Sequence, residues 1–255
     1  MYHPRKSLSQ NYLQDKNIAR KIAGVLNAGN AGRVYEIGPG YGILTEFLVE
    51  KFGEKLFLIE IDEDSVAWLR ERFPEIRERI IAEDFLKFVL PPGNDEEIAI
   101  IGNFPYHITS PILYRVLELR DRVSEVVAMI QKEVAERLVS LPGSKTFGLL
   151  SVLLQTFYHA EYLFTVPEQV FYPRPRVKSA VIRLVRNERK KLSCPEVTYF
   201  TLVKRAFNQR RKTLRNALKG FLPDDMVSLN MLNRRAEQLS VEEFVELCKK
   251  IKRND

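Results

Sequence analysis

The sequence predicts an α/β chain: a doubly wound, mostly parallel sheet over residues 1–185, followed by a small basic helical domain over residues 186–255. Three observations predict it. Short apolar runs with strand character alternate with amphipathic helical patterns through the first two thirds of the chain. The first of those runs leads straight into Gly38-Pro39-Gly40-Tyr41-Gly42, a glycine turn that opens a helix. The charge is also divided, with 23 Lys+Arg against 24 Asp+Glu up to residue 185 and 17 against 9 beyond it. A neutral domain joined to a basic one suggests chemistry in the first and a grip on a polyanion in the second.

Taken in order, residues 5–13 (Arg-Lys-Ser-Leu-Ser-Gln-Asn-Tyr-Leu) read as an arm, docked by a short helix with Ile18, Ile22, Val25 and Leu26 on one face. Arg33–Ile37 is a strand, and Leu44, Phe47, Leu48 and Phe52 mark the buried face of the helix after the glycine turn. Lys55–Ile59 is a second strand ending at Glu60. A helix carrying Val66, Leu69 and Phe73 follows, and Pro74 closes it. Arg79–Ala82, Ile98–Ile101 and Val126–Ile130 read as further strands, and Val181–Val185 as an alternating one. A helix opens in Lys145–Val152, and the boundary before the basic domain falls at Arg186–Lys191. From Thr201 to Lys219 one helix is expected, with Val203, Phe207, Leu214 and Leu218 as its apolar stripe. Lys204, Arg205, Arg211, Lys212 and Arg215 occupy its other faces, as RNA-phosphate contacts or simply as a solvated surface.

The chemistry collects at the ends of the strands. Gly38, Gly40 and Gly42 have the spacing G-x-G-x-G rather than the G-x-G-x-x-G that sets a pyrophosphate on a helix N-terminus, so a cofactor without phosphates is expected. Glu36 would repel a pyrophosphate but suits a cationic amino-acid moiety. Glu60 is placed to take ribose hydroxyls, and Asp84 to accept from an adenine amino group. Gly102-Asn103-Phe104-Pro105-Tyr106 then puts a carboxamide, a stiffening proline and an aromatic ring within four residues. The Asn103 side-chain carbonyl and the Phe104 main-chain carbonyl can accept from one exocyclic amine, while Tyr106 offers a face for its ring.

Together these residues resemble the class I S-adenosylmethionine-dependent methyltransferases that act on adenine amino groups. With Phe171-Tyr-Pro-Arg-Pro-Arg-Val-Lys-Ser-Ala180, Ala206–Leu218 and Arg235–Ser240, the chain is similar over nearly its whole length to the ribosomal RNA adenine dimethyltransferases. The resemblance implies a seven-stranded, mostly parallel sheet with an antiparallel edge, and a small all-α C-terminal domain. It implies S-adenosyl-L-methionine as cofactor, with Asn11 and Leu13 against it, Gly38 and Gly40 on its methionine part, Glu60 on the ribose and Asp84 on the adenine. Asn103 would touch both cofactor and target, and Phe171 would stack on the target adenine opposite Tyr106; the alternative for Phe171 is a core plug beside a proline-rich loop. The chain departs from the family in Ser9 and Tyr12, where Gly and Phe are usual, and in Phe104, where Leu is commoner.

The partner so implied is small-subunit rRNA within a pre-ribosomal particle, modified on two adjacent adenines near its 3′ end. Rival readings are an enzyme of the resistance type acting on large-subunit rRNA, a ribosome assembly factor whose binding outweighs its catalysis, and a nicotinamide oxidoreductase, which the glycine spacing disfavours. No apolar run reaches the ~18–20 residues of a membrane span, and the two cysteines, Cys194 and Cys248, have no Cys or His at metal spacing. A cytoplasmic, metal-free monomer is the expectation. Of the three histidines, His107 is the one beside Tyr106, and it is read as a loop residue rather than a base.

Overall fold

The computed structural model describes residues 11–91, 96–223, 226 and 229–251, so the first part of the expected arm, residues 5–10, lies outside the described residues. The elements follow in chain order as β1 (Tyr12–Leu13), α1 (Lys16–Val25), β2 (Arg33–Ile37), α2 (Thr45–Phe52), β3 (Leu56–Glu60), α3 (Glu63–Arg72) and β4 (Ile80–Ala82). Then come β5 (Ile98–Asn103), α4 (Thr109–Glu118), β6 (Val123–Gln131), α5 (Lys132–Leu138), α6 (Leu149–Phe157), β7 (Tyr158–Val166), β8 (Phe171–Tyr172) and β9 (Ser179–Arg186). Among the described residues α7 (Glu196–Asn208), α8 (Leu214–Ala217) and α9 (Val241–Lys250) follow.

Seven strands form one sheet in the order β4-β3-β2-β5-β6-β9-β7, and a two-stranded ribbon pairs β1 with β8. β4, β3, β2, β5 and β6 are parallel, and β9 runs antiparallel to β6. Because β2 is followed on one side by β3 and on the other by β5, the winding reverses between β2 and β5. In open α/β sheets that reversal, at the carboxyl ends of the strands, is where a ligand crevice opens. The five parallel strands are apolar and mostly buried, as strands covered on both faces must be. Asp15 caps α1 by accepting from the backbone N–H groups of Asn17 and Ile18, and Ala19, Ile22 and Ala23 turn inward. At the other end of α1 the Lys51 Nζ donates to the carbonyls of Ala23, Gly24 and Leu26, which would otherwise lack partners.

The class I methyltransferase sheet with its antiparallel edge is therefore present. β7 was not among the expected strands, and β6 is longer than expected. β1 and β8 are also additions: the arm is held by strand pairing, Tyr12 opposite Tyr172 and Leu13 opposite Phe171, as well as by α1.

The chain divides into two compact units, one of residues up to Ala135 with His159–Arg186, the other of Glu136–Tyr158 with Asn187 onward. Glu136–Tyr158 belongs to the second unit although it precedes His159–Arg186 of the first in the chain. The reason is packing. The Phe157 ring stacks on Phe200 at 6.3 Å, and the Thr156 hydroxyl meets the Tyr199 hydroxyl at 2.8 Å, both groups fully buried. α6 also begins at Leu149, later than expected.

Within this unit the expected continuous helix from Thr201 to Lys219 is broken. α7 stops at Asn208, and the chain turns before α8 begins at Leu214. Thr213 forms a β-bridge with Arg235, the Leu214 N–H donates to the Arg234 carbonyl at 2.8 Å, and the Arg210 guanidinium bonds the carbonyls of Lys145 and Phe147. These contacts from distant chain offset the hydrogen bonds that a continuous helix would have made. The apolar stripe survives the break, since Val203, Leu214 and Leu218 are all buried.

Candidate functional site

A cavity of about 280 Å³ opens at the reversal between β2 and β5, with a smaller one of about 30 Å³ beside it. Tyr12, Gly38 and Asn103 line both. The larger holds Glu60, Asp84, Phe104, Pro105, Tyr106 and His107; the smaller holds Leu13, Glu36 and Tyr41. Of the expected cofactor residues, Asn11, Gly38, Gly40, Glu60, Asp84 and Asn103 meet at the larger cavity, and Leu13 and Glu36 at the smaller.

The glycine turn shapes the wall between them. Gly38, Gly40 and Gly42 all have positive φ, at +64°, +55° and +75°. At Gly40 a Cβ would also come within 2.7 Å of the Tyr12 ring, so the arm can lie on the turn only because no side chain is there. The Gly38 N–H donates to the Ile59 carbonyl at 3.0 Å, which ties the turn to the end of β3. Gly102 serves the other wall: a Cβ there would stand 2.4 Å from the Ile37 carbonyl oxygen of the neighbouring strand β2.

Glu60 is buried and takes three backbone donors. The Ile61 and Asp62 N–H groups donate to Oε1 at 2.9 and 3.0 Å, and the Gly40 N–H to Oε2 at 3.1 Å. Burial raises its pKa above the ordinary carboxylate value, against the pull of those three bonds. A carboxylate has about four acceptor sites, so with three backbone donors in place about one is left open on Glu60. Asp84 accepts from the Leu86 N–H through Oδ1 at 2.9 Å, which folds the chain after β4 back to form the cavity floor.

Glu36 is deeper, 1% exposed, with the Thr45 hydroxyl donating to its Oε2 at 2.7 Å. Burial pushes its carboxyl from 4.5 up to about 8; the Thr45 hydrogen bond works against that shift and the Glu60 charge adds to it. Between those two values the folded chain holds a proton that the unfolded chain releases. The stability this provides is fully present below about 4.5 and is lost as pH rises through about 8. Glu36→Gln, which is neutral at every pH, should therefore melt higher than the parent at pH 8–9, with the difference vanishing near pH 4.5. Parallel melting curves for the two proteins across that range would show that Glu36 does not titrate as argued.

The Asn103 Nδ2 donates to the Asn11 carbonyl at 2.9 Å, which fixes the carboxamide and couples it to the arm. Among the described residues no donor reaches its Oδ1, which is left to accept. Phe104 lines the larger cavity, is fully buried, and its N–H donates to the Met129 carbonyl at 3.0 Å. The Tyr106 ring lines the cavity, and its hydroxyl is 2.7 Å from the Ser179 Oγ; burial raises the phenol pKa.

Phe171 is placed otherwise than expected. It is 4% exposed, packs in the hydrophobic core and does not line the cavity with Tyr106. Its strand is two residues long, and the alternation that turns Tyr172 outward turns Phe171 in. Tyr12, conversely, is a wall of both cavities, although its place in the sequence marks it only as part of the arm. Its ring lies 4.5 Å from that of Tyr41, which in turn meets Trp68 edge-on at 6.3 Å.

In the second unit Lys204, Arg205, Arg211 and Lys212 are exposed, with the Arg205 guanidinium 4.8 Å from the centre of the Phe221 ring. Arg215 is half-buried and donates to the Asn233 Oδ1 at 2.9 Å, so it is engaged within the protein. Among the described residues no group of three or more His, Cys, Asp or Glu is arranged to hold a metal ion, and no helix is long and apolar enough to cross a membrane.

Two carboxylates at adjacent strand ends, the apolar residues Ile37, Ile59, Ile61 and Phe85 lining the same cavity, and a glycine turn that keeps space at Gly38 suit a nucleoside carrying an amino-acid tail better than a pyrophosphate. Comparison with known proteins agrees. Residues 1–253 match the model of the ribosomal RNA adenine dimethylase family. Over 246 residues the chain is 51% identical to ribosomal RNA small subunit methyltransferase A of Parabacteroides distasonis, covering 96% of this chain and 92% of that one. It is 49% identical over 249 residues to the protein of the same name from Flavobacterium johnsoniae, covering 97% and 95%. Among solved structures, a dimethyladenosine transferase from Plasmodium falciparum shares the fold, with a TM-score of 0.78 at 24% identity over 92% of this chain and 95% of that one. The chain belongs to the ribosomal RNA adenine dimethylase family, and is an rRNA methyltransferase that uses S-adenosylmethionine as methyl donor.

Proposed function

We propose that this protein transfers methyl groups to the exocyclic amino groups of two adjacent adenines near the 3′ end of small-subunit rRNA, within a pre-ribosomal particle in the cytoplasm, and acts as a monomer. The observation that carries the chemistry is the position of Asn103. It stands on the wall common to both cavities, held through Nδ2, with Oδ1 left as an acceptor. The small-subunit target is supported by the names of relatives about half identical over nearly the whole chain, and those names favour it over the large-subunit alternative.

S-adenosylmethionine supplies an electrophilic methyl group; the residues around it bind and orient. Glu60 and Asp84 hold the adenosine end in the larger cavity, and Glu36 serves the amino-acid end in the smaller. An adenine amino nitrogen is a poor nucleophile because its lone pair is delocalised into the ring. Asn103 Oδ1 and the Phe104 carbonyl, accepting its two hydrogens, favour the pyramidal nitrogen that can attack. The Tyr106 ring stacks on the base, with Ser179 holding the hydroxyl so that the ring keeps its angle. No strong general base is needed, because the alkylated nitrogen is acidic enough to release its proton to water.

The exposed cations of the second unit would contact phosphate. Replacing Lys204, Arg211 and Lys212 together by alanine should weaken RNA binding and lower the slope of log K against log salt by about 0.7–0.9 for each phosphate no longer neutralised. Cofactor affinity should not move. A slope equal to the parent's would assign these residues to a solvated surface.

The whole reading is tested by incubating the protein with labelled S-adenosylmethionine and either unmodified small subunits or naked rRNA, then mapping the modified adenines. Two adjacent dimethyladenines on the small subunit are expected. Modification of large-subunit rRNA instead would overturn the assignment.

A further inference from the structure

Residues 171–179, Phe-Tyr-Pro-Arg-Pro-Arg-Val-Lys-Ser, form a segment fastened to the cavity wall at both ends. At one end Tyr172 is directly opposite Tyr12 across the β1–β8 ribbon, and residues directly opposed across two strands project to the same side with their Cβ atoms about 4.5–5.5 Å apart. Tyr12 is a wall of both cavities. At the other end the Ser179 Oγ holds the hydroxyl of Tyr106, the aromatic wall of the larger cavity. Between these ends Pro175 is buried, while Tyr172, Arg174, Arg176 and Lys178 are exposed.

Tyr172 is 63% exposed although Phe171 beside it is in the core. Arg174 is paired with Glu168 at 2.8 Å, but among the described residues the Arg176 side chain makes no hydrogen bond or ion pair. No acidic residue lies between Tyr172 and Ser179. An exposed aromatic face followed by cations is the combination that binds single-stranded nucleic acid, through stacking and phosphate contacts together. A neighbour for such a face is also required. A target base drawn into a cavity leaves its stack, and the nucleotide next to it then loses a partner.

We infer that Tyr172 is the stacking platform for the nucleotide adjacent to the target adenine, with Arg176 and Lys178 contacting that nucleotide's phosphates. The inference rests on the proposed function and makes it more specific: with two adjacent adenines modified, the one waiting on Tyr172 is the second substrate. Tyr172 is thus a positioning residue, apart from the atoms that react.

The test is single-turnover transfer to unmodified small subunits below saturation, using the full chain and its Tyr172→Ala, Tyr172→Phe and Arg176→Ala/Lys178→Ala variants. S-adenosylmethionine affinity is measured alongside by calorimetry. Tyr172→Ala should reduce transfer by roughly five- to hundredfold, the value of stacking one base, with cofactor affinity unchanged. Tyr172→Phe should restore most of the loss, and the double variant should lower the salt dependence of subunit binding. Parent-like transfer by Tyr172→Ala would overturn the inference, as would an equal loss in Tyr172→Phe or a loss of cofactor affinity. If the parent itself leaves small subunits unmodified, the proposed function fails and this inference fails with it.

Discussion

Single-turnover methyl transfer to unmodified small subunits should fall by on the order of a hundredfold or more in Asn103→Ala at saturating S-adenosylmethionine, as the loss of one preorganised electrostatic contact typically does. The substitution removes two things, the acceptor Oδ1 and the Nδ2 bond to the Asn11 carbonyl. They differ in size. A neutral hydrogen bond contributes about 0.5–1.5 kcal/mol, roughly a tenfold effect at most, and it acts on the arm and hence on cofactor binding. Saturating the cofactor suppresses that part and leaves the effect on the amine. RNA binding should barely change. Near-parent transfer would mean that the target amine is held by other groups.

Glu60→Ala is expected to lower cofactor affinity at least tenfold and to lower the melting temperature of the ligand-free protein as well. The second effect follows from geometry. The carboxylate accepts from the N–H groups of Gly40, Ile61 and Asp62, and a buried donor left without an acceptor costs about 1–3 kcal/mol. Glu60→Gln keeps one acceptor oxygen and should fall between the parent and Glu60→Ala in both measurements. Calorimetric titration with S-adenosylmethionine and thermal melts of the three proteins decide it. If Glu60→Ala binds cofactor like the parent, the ribose is held elsewhere.

Much of the crevice was legible in the sequence because parallel strands buried on both faces are continuous apolar runs, and their carboxyl ends share one edge of the sheet. Glu60, Asp84 and Asn103 could therefore be placed together from their positions at or just beyond the ends of such runs, and Glu36 from its place one residue before the end of β2. Features set by distant chain were not legible. The stripe Val203, Phe207, Leu214, Leu218 carries no mark of the break at residues 209–213, which is made by Arg235 and by the carbonyls of Lys145 and Phe147. β7 alternates poorly, with half-buried and exposed residues between its two buried ends, so neither a period of two nor a solid apolar run announced it. In β8 two residues are too few to show a period at all, and the inward turn of Phe171 depends on its pairing with Leu13.

The division of the chain at Ala135, Tyr158 and Arg186 also bears on how the molecule is made. A nascent chain synthesised as far as Arg186 already contains every strand of the sheet, yet it also carries α6, whose partners have not been translated. Thr156 and Phe157 gain their contacts with Tyr199 and Phe200 only once that later chain is made, so α6 completes its packing after the strands on either side of it have been translated. The packing of α6 is in this way ordered by translation, and stopping the chain at Arg186 would leave the Thr156–Phe157 surface without those partners permanently.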